Sequence, residues 1–178
     1  AAGDLTGDGF VDLFVPHRDG GQSYLFVNDG KGGFDEQHSV GPSRTATRAV
    51  ALGDLDSDGL LDIIVGDGVE GGVRLYINRG DASFEESRMI GARGDRVFAL
   101  AVADVDGDGD GDVVVGNSKA PGAILSNDGS GHRFTLTRYS DAEGAVYGLA
   151  IGDVNGDGVA DIVAGRSDAP NTLYLGCC

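Results

Sequence analysis

Fifteen of the 29 acidic residues of this chain fall in four stretches of nine residues. The densest is Asp104-Val105-Asp106-Gly107-Asp108-Gly109-Asp110-Gly111-Asp112, with carboxylates at positions 1, 3, 5, 7 and 9 and Gly at position 6. Its counterparts read Asp4, Thr6, Asp8, Gly9, Asp12; Asp54, Asp56, Asp58, Gly59, Asp62; and Asp153, Asn155, Asp157, Gly158, Asp161. Bare, such carboxylates repel one another; around a hard dication they form an oxygen cage. Calcium takes about 6–8 oxygen ligands in flexible geometry, whereas magnesium demands an octahedron and keeps its waters. The expected cofactor is therefore Ca2+, up to four ions.

The spacing assigns roles. Positions 1, 3 and 5 each offer a side-chain oxygen. Gly at position 6 permits the turn that aims the position-7 carbonyl inward, from Phe10, Leu60, Asp110 and Val159. Position 9 closes the cage. Asp110 is expected to give its backbone oxygen while its carboxylate faces solvent. An EF-hand needs Glu at position 12 and flanking helices; here position 12 is Val15, Val65, Val115 and Ala164, and the flanks read as strands. Gly107 to Gly111 imitates a dinucleotide fingerprint but leads into a strand rather than a helix. A solvated acidic turn would not recur four times in register.

First positions fall at 4, 54, 104 and 153, a period of 50, 50 and 49 residues that marks a repeat architecture. Segments 48–53, 98–103 and 147–152 precede three of the loops and alternate Ala or Gly with Val, Leu or Ile, the period of a strand. Their small-residue face suits close packing near an axis. After the loops, Leu13–Val15, Ile63–Gly66, Val113–Gly116 and Ile162–Gly165 read as strands buried on both faces. Third strands, 24–27, 73–77, 123–125 and 172–175, end at Asn28-Asp-Gly30, Asn78-Arg-Gly80 and Asn127-Asp-Gly129, which are hairpin signals. Polar fourth strands open at Phe34, Phe84 and Phe134, as outer edges should. No window shows helical periodicity. The fold class expected is all-β, with four-stranded antiparallel propeller blades over 1–45, 46–95, 96–144 and 145–178.

Composition excludes several classes. The net charge is −16 and no basic stripe offsets it, which argues against nucleic-acid partners. No apolar run approaches a transmembrane span, and 40% hydrophobic residues exceed what a disordered acidic tail would hold. The chain lacks an initiator Met and opens in mid-repeat, so it reads as a processed or incomplete piece. Cys177 and Cys178 are adjacent; neighbouring Cα atoms about 3.8 Å apart lie below the usual disulfide range. A bond to another chain or a free thiol pair stays open for them.

The unit AVALGDLDSDGLLDIIVG…VRLYINRGDASF resembles the calcium-loop repeat of integrin α-subunit propellers and of the FG-GAP/VCBS repeat proteins. The resemblance covers essentially the whole chain. It implies that each loop joins the two inner strands of a blade, in a ring of about seven blades. This sequence supplies about 3.6, with the inner strand reduced at Ala1 and Gly176-Cys177-Cys178 where the fourth Asn-x-Gly turn should stand. The ring is expected to be incomplete within the chain, and part of a larger propeller.

Other chemistry is sparse. His17, His38 and His132 are scattered without partners at ligand spacing, and no nucleophile motif appears. Arg79-Gly80-Asp81 and Arg93-Gly94-Asp95 match an adhesion tripeptide, but the first sits in a turn that needs its Gly for structural reasons. Tyr24, Tyr76, Phe98, Tyr147 and Tyr174 fit strand positions, so packing is preferred to a sugar platform. The expectation is a non-enzymatic calcium-binding module for interaction or adhesion. Its partners would be a protein or the remaining blades, with carbohydrate as a further class, in an extracellular, cell-surface or lumenal setting. The competing readings are an assembly subunit and a propeller that binds or cleaves polysaccharide.

Overall fold

The computed structural model describes residues 1–67, 70–85 and 88–176; Cys177 and Cys178 lie outside them. Among the described residues every regular element is a strand. Blade one is β1 (Ala2–Gly3), β2 (Asp12–Val15), β3 (Gly21–Val27) and β4 (Glu36–Thr45). Blade two is β5 (Thr47–Gly53), β6 (Asp62–Asp67), β7 (Val73–Tyr76) and β8 (Arg88–Met89). Blade three is β9 (Arg96–Ala103), β10 (Asp112–Ser118), β11 (Ala123–Asn127) and β12 (Phe134–Arg138). Blade four holds β13 (Ala145–Gly152), β14 (Asp161–Ser167) and β15 (Thr172–Tyr174). Neighbours within a blade pair antiparallel in chain order. The sheets of blades three and four touch through one bridge, Ser118 to Ala145, which links them into a single seven-stranded sheet. The outer strands differ from the expected openings: β4 begins at Glu36, and in blade two Phe84 only bridges Asn78 before a two-residue β8.

Each acidic loop closes the hairpin between a blade's first two strands. The residue before position 1 pairs with position 9: Gly3 with Asp12, Gly53 with Asp62, Ala103 with Asp112, Gly152 with Asp161. Nine residues are thus clamped between two paired positions in every blade.

The core lies between blades. Side chains of a strand alternate in direction, and β6 shows the consequence. Ile63 and Val65 join Leu5, Phe14, Leu25, Val40 and Tyr76 on the blade-one side, while Ile64 packs with Val113, Val115 and Leu125 on the blade-three side. A smaller cluster of Ala99, Val146 and Ala164 joins blades three and four. Inner strands approach closely where small residues allow it. A Cβ on Gly53 would sit 2.6 Å from Val102 of the next inner strand.

The expectation that every second strand is buried on both faces holds for β6 and β10 and fails at the ends of the array. Leu13 and Val15 on β2 are 37% and 48% exposed, and Val163 on β14 is 37% exposed. The reason is geometric: no described blade covers the outward faces of blades one and four.

Candidate metal centres

The first Asp of each loop organises the backbone. In loop three Asp104 Oδ1 accepts the N–H of Gly107 at 2.7 Å, and Oδ2 accepts that of Gly109 at 3.0 Å. Asp4 and Asp153 repeat this on Gly7 and Gly9 and on Gly156 and Gly158, and Asp54 accepts from Asp58 and Gly59. The position-5 carboxylate accepts the position-7 N–H at 2.8–2.9 Å in all four loops. The loops are therefore wound into turns that gather their carboxylates before any cation is considered. Burial alone would push the Asp4 carboxyl up; the N–H groups of Gly9, Gly7, Asp8 and Thr6 outweigh it and hold the group below its ordinary value. Asp153 is lowered likewise, by the N–H of Gly158 above all.

Position 9 does more than close a cage. Asp12, Asp62, Asp112 and Asp161 are fully buried. Their Oδ2 atoms accept the position-2 N–H of Leu5, Leu55, Val105 and Val154, each at 2.9 Å. Their Oδ1 atoms accept the N–H of Asn28, Asn78, Asn127 and Gly176 at 2.8–2.9 Å. Each buried Asp thus ties its loop to the end of the third strand. Burial pushes Asp62 up to about 6, helped by the charges of Asp56 and Asp58 and opposed by the N–H groups of Asn78 and Leu55. Asp112 is raised for the same reasons, burial first and then Asp106 and Asp108.

Carboxylate oxygens of Asp54, Asp56 and Asp62 lie within 4.8 Å of one another, as do those of Asp104, Asp106 and Asp108. In loops one and four Thr6 and Asn155 replace the position-3 carboxylate; Thr6 donates to Asp12 at 3.3 Å and Asn155 to Asp157 at 2.9 Å. The Asp56 side chain is only 10% exposed, and its Oδ1 is buried without a hydrogen-bond partner. A buried, unmatched carboxylate oxygen is costly, and a hard cation at this spot would match it. The donor set, all oxygen, fits calcium.

Loop two has a feature of its own. Arg79 Nη1 lies 2.8 Å from Asp56 Oδ2 and 3.4 Å from Asp58 Oδ2, and Nη2 lies 2.6 Å from Glu85. The matching residues of blades one and three are Asp29 and Asp128, so among loops one to three loop two alone carries a tethered cation of its own. Position 7 also departs from expectation in one respect. The Asp110 carboxylate is half-buried over Gly129, where a Cβ would meet it at 2.4 Å, rather than facing solvent. Phe10 covers Gly30 in the same way. Gly30 and Gly129 serve this approach, and the Gly of each Asn-x-Gly turn adopts a positive φ, 72°, 80° and 76° at Gly30, Gly80 and Gly129.

The remaining candidates are engaged elsewhere. Arg79 of the first Arg-Gly-Asp triplet is held by loop two, and Asp95 of the second by Arg138 at 2.7 Å. His17 Nδ1 accepts the N–H of Gly21 at 2.9 Å, His38 sits on Glu36 and His132 on Arg88, so the histidines form no common site.

Repeated antiparallel blades with an acidic clamp on each inner hairpin define a β-propeller repeat array. The FG-GAP-like repeat family model matches residues 4–65, 54–115 and 104–164, each match running from one loop through the strand after the next. The chain belongs to the FG-GAP-like repeat family. A search among curated proteins returns no match. Among solved structures, the chain is similar to an Agrocybe aegerita lectin described as recognising non-reducing terminal N-acetylglucosamine. The TM-score is 0.64 and identity 27%, over 92% of this chain and 46% of that one. It also resembles in fold the Photorhabdus luminescens Tc holotoxin pore, with a TM-score of 0.53 and 23% identity, over 97% of this chain and 8% of that one. The chain therefore spans less than half the length of either.

Proposed function

We propose that the chain is a calcium-stabilised propeller module that serves non-enzymatic recognition. The observation that carries the metal assignment is the Asp56 carboxylate, whose Oδ1 is buried without a hydrogen-bond partner and which brings an oxygen within 4.8 Å of oxygens of Asp54 and Asp62. Calcium supplies charge that the clustered carboxylates lack. The four loops would hold it through Asp4, Thr6, Asp8 and Asp12; Asp54, Asp56, Asp58 and Asp62; Asp104, Asp106, Asp108 and Asp112; and Asp153, Asn155, Asp157 and Asp161. The carbonyls of Phe10, Leu60, Asp110 and Val159 are the fifth protein donors. Isothermal titration of metal-free protein with calcium should resolve up to four sites, with loops two and three richest in charge. Absence of binding heat, or magnesium binding as tightly, would contradict the reading.

Recognition of a protein or of further blades is supported by the outward faces of the end blades. Phe10, Val11, Leu13 and Val15 are exposed on one, and Val154, Val163, Leu173 and Leu175 on the other. Exposed apolar surface of this kind marks contact sites. The likeness to a lectin supports carbohydrate as the second class of partner. An extracellular or lumenal setting follows from the calcium requirement, since weak calcium modules stay loaded only where the ion is abundant.

A further inference from the structure

The acidic loops occupy one face of the array; the other face holds a different kind of site. Arg48, Phe98 and Tyr147 stand six residues before the first Asp of loops two, three and four, so they are equivalent positions on successive inner strands. All three fall at bulges. The pairing of β9 with β10 skips Phe98, that of β13 with β14 skips Tyr147, and that of β5 with β6 breaks between Thr47 and Val50. A bulge re-aims the extra residue's side chain, and here the re-aimed side chains meet. The Arg48 guanidinium lies 5.3 Å from the Phe98 ring centroid, and the Phe98 and Tyr147 rings lie 5.1 Å apart, tilted by 45°. Arg96 places a second guanidinium 6.0 Å from the same Phe98 ring.

Arg48, Arg96 and Phe98 line a cleft of about 610 Å³, joined by Arg18 from the β2–β3 connection. Two of the cleft's carboxylates are already engaged. Asp67 pairs with Arg74 at 2.9 Å, and Glu70 with Arg93 at 3.2 Å; Asp19 is the third. Among the described residues none of Arg18, Arg48 and Arg96 forms a salt bridge, whereas Arg74, Arg79, Arg93, Arg133, Arg138 and Arg166 all do. In a chain of net charge −16 carboxylates are plentiful, yet this one cleft gathers three of the five arginines, with Arg44 and Arg88, that form no salt bridge among the described residues.

We infer that this cleft binds a carboxylate-bearing sugar. The guanidinium fork matches a carboxylate in two parallel hydrogen bonds. Phe98 and the 63%-exposed Tyr147 beside it, inclined to each other by 45°, offer apolar ring faces to the C–H face of a pyranose ring, so charge and ring are recognised side by side. A singly charged carboxylate fits better than a phosphate, because the summed negative field of the chain opposes the second charge. The inference is independent of the metal assignment, which concerns the other face.

The test is titration of the calcium-loaded chain with a disaccharide ending in glucuronate, and with the same disaccharide ending in glucose. Tyrosine fluorescence and calorimetry serve as readouts. The acidic sugar should bind at least tenfold more tightly. Arg48→Ala and Arg96→Ala should each lower its affinity about tenfold without changing the calcium isotherm. Tyr147→Ala, exposed enough to leave folding intact, should weaken both sugars. Equal binding of the two sugars overturns the inference. So does unchanged affinity in both arginine variants or in Tyr147→Ala, or a triglutamate peptide binding as tightly as the acidic sugar.

Discussion

The Asn127 side-chain amide donates to the backbone carbonyl of Leu55 at 2.7 Å, from the third strand of blade three to the acidic loop of blade two. Asn78 repeats the bond one blade earlier, onto Leu5 O at 3.0 Å. In both cases the residue receiving the bond holds position 2 of a loop. Its own N–H is fixed by the buried Asp of that loop, Asp62 for Leu55 and Asp12 for Leu5. Position 2 is thus gripped by its own loop on one side and by the next blade on the other, with its side chain buried at the seam. The state of a loop and the docking of the next blade share one residue.

Cutting that link should cost stability locally and unequally. Asn127→Ala leaves the carbonyls of Leu55 and Gly111 without the side-chain donor, and such a loss costs about 1–3 kcal/mol per orphaned group. Asn78→Ala should behave alike. Among the described residues the Asn28 amide donates within its own blade, to Val11 O at 3.0 Å, so Asn28→Ala should cost under about 1 kcal/mol. Urea unfolding of the three variants checks the order.

Arg79 should weaken calcium binding at loop two. Its guanidinium contacts both Asp56 and Asp58, so a cation entering the loop must displace it. Arg79→Ala should therefore raise the calcium affinity of loop two severalfold and leave loop three unchanged. Calorimetry of the variant, with Asp104→Ala added to silence loop three, isolates the effect.

A proton and calcium compete for the buried Asp62 carboxylate. Asp62 is pushed up to about 6 in the metal-free fold, from an ordinary 3.8. The folded state then holds its proton where the unfolded chain has released it. Metal-free stability should rise as the pH falls from about 6 towards 3.8, and decline as the pH climbs through that window. Calcium needs the ionised form, so the stabilisation it provides should shrink below about pH 6. Melting temperatures at pH 5 and pH 7, with calcium and with chelator, check both signs.

Much of this was legible in the sequence because the physics is local. Period-two patterning in Arg48–Gly53 and Phe98–Ala103 marks strands, and a loop such as Asp104–Asp112 is recognised from its own nine residues. What escaped depends on neighbours in space. That Asn78 and Asn127 staple one blade to the loop before it is invisible until the 73- and 72-residue separations are closed in space. Exposure of Leu13 and Val15 could not be read from their apolar character, since their strand matches β6 in composition but lacks a covering blade. The convergence of Arg48, Phe98 and Tyr147 needs bulges that leave no sequence mark beyond the repeat position itself. The sequence does mark loop position 4, which is also left-handed, with Gly in loops one, three and four and Ser57, at φ 59°, in loop two.

The central claim is that calcium holds the clamped hairpins, and therefore the seams, in place. A ligand stabilises the fold by RT ln(1 + [L]/Kd). With a Kd of about 10⁻⁴ M, as in extracellular modules, and about 1 mM calcium, each site contributes roughly 1.4 kcal/mol, and four about 5–6 kcal/mol. That rivals the whole stability of a small domain. The direct measurement is thermal unfolding of the chain with calcium, with chelator, and with chelator plus magnesium. The account predicts a large fall in melting temperature on chelation, poor rescue by magnesium, and part of the same fall in Asp104→Ala with calcium present; an unchanged melting temperature on removing calcium would contradict it.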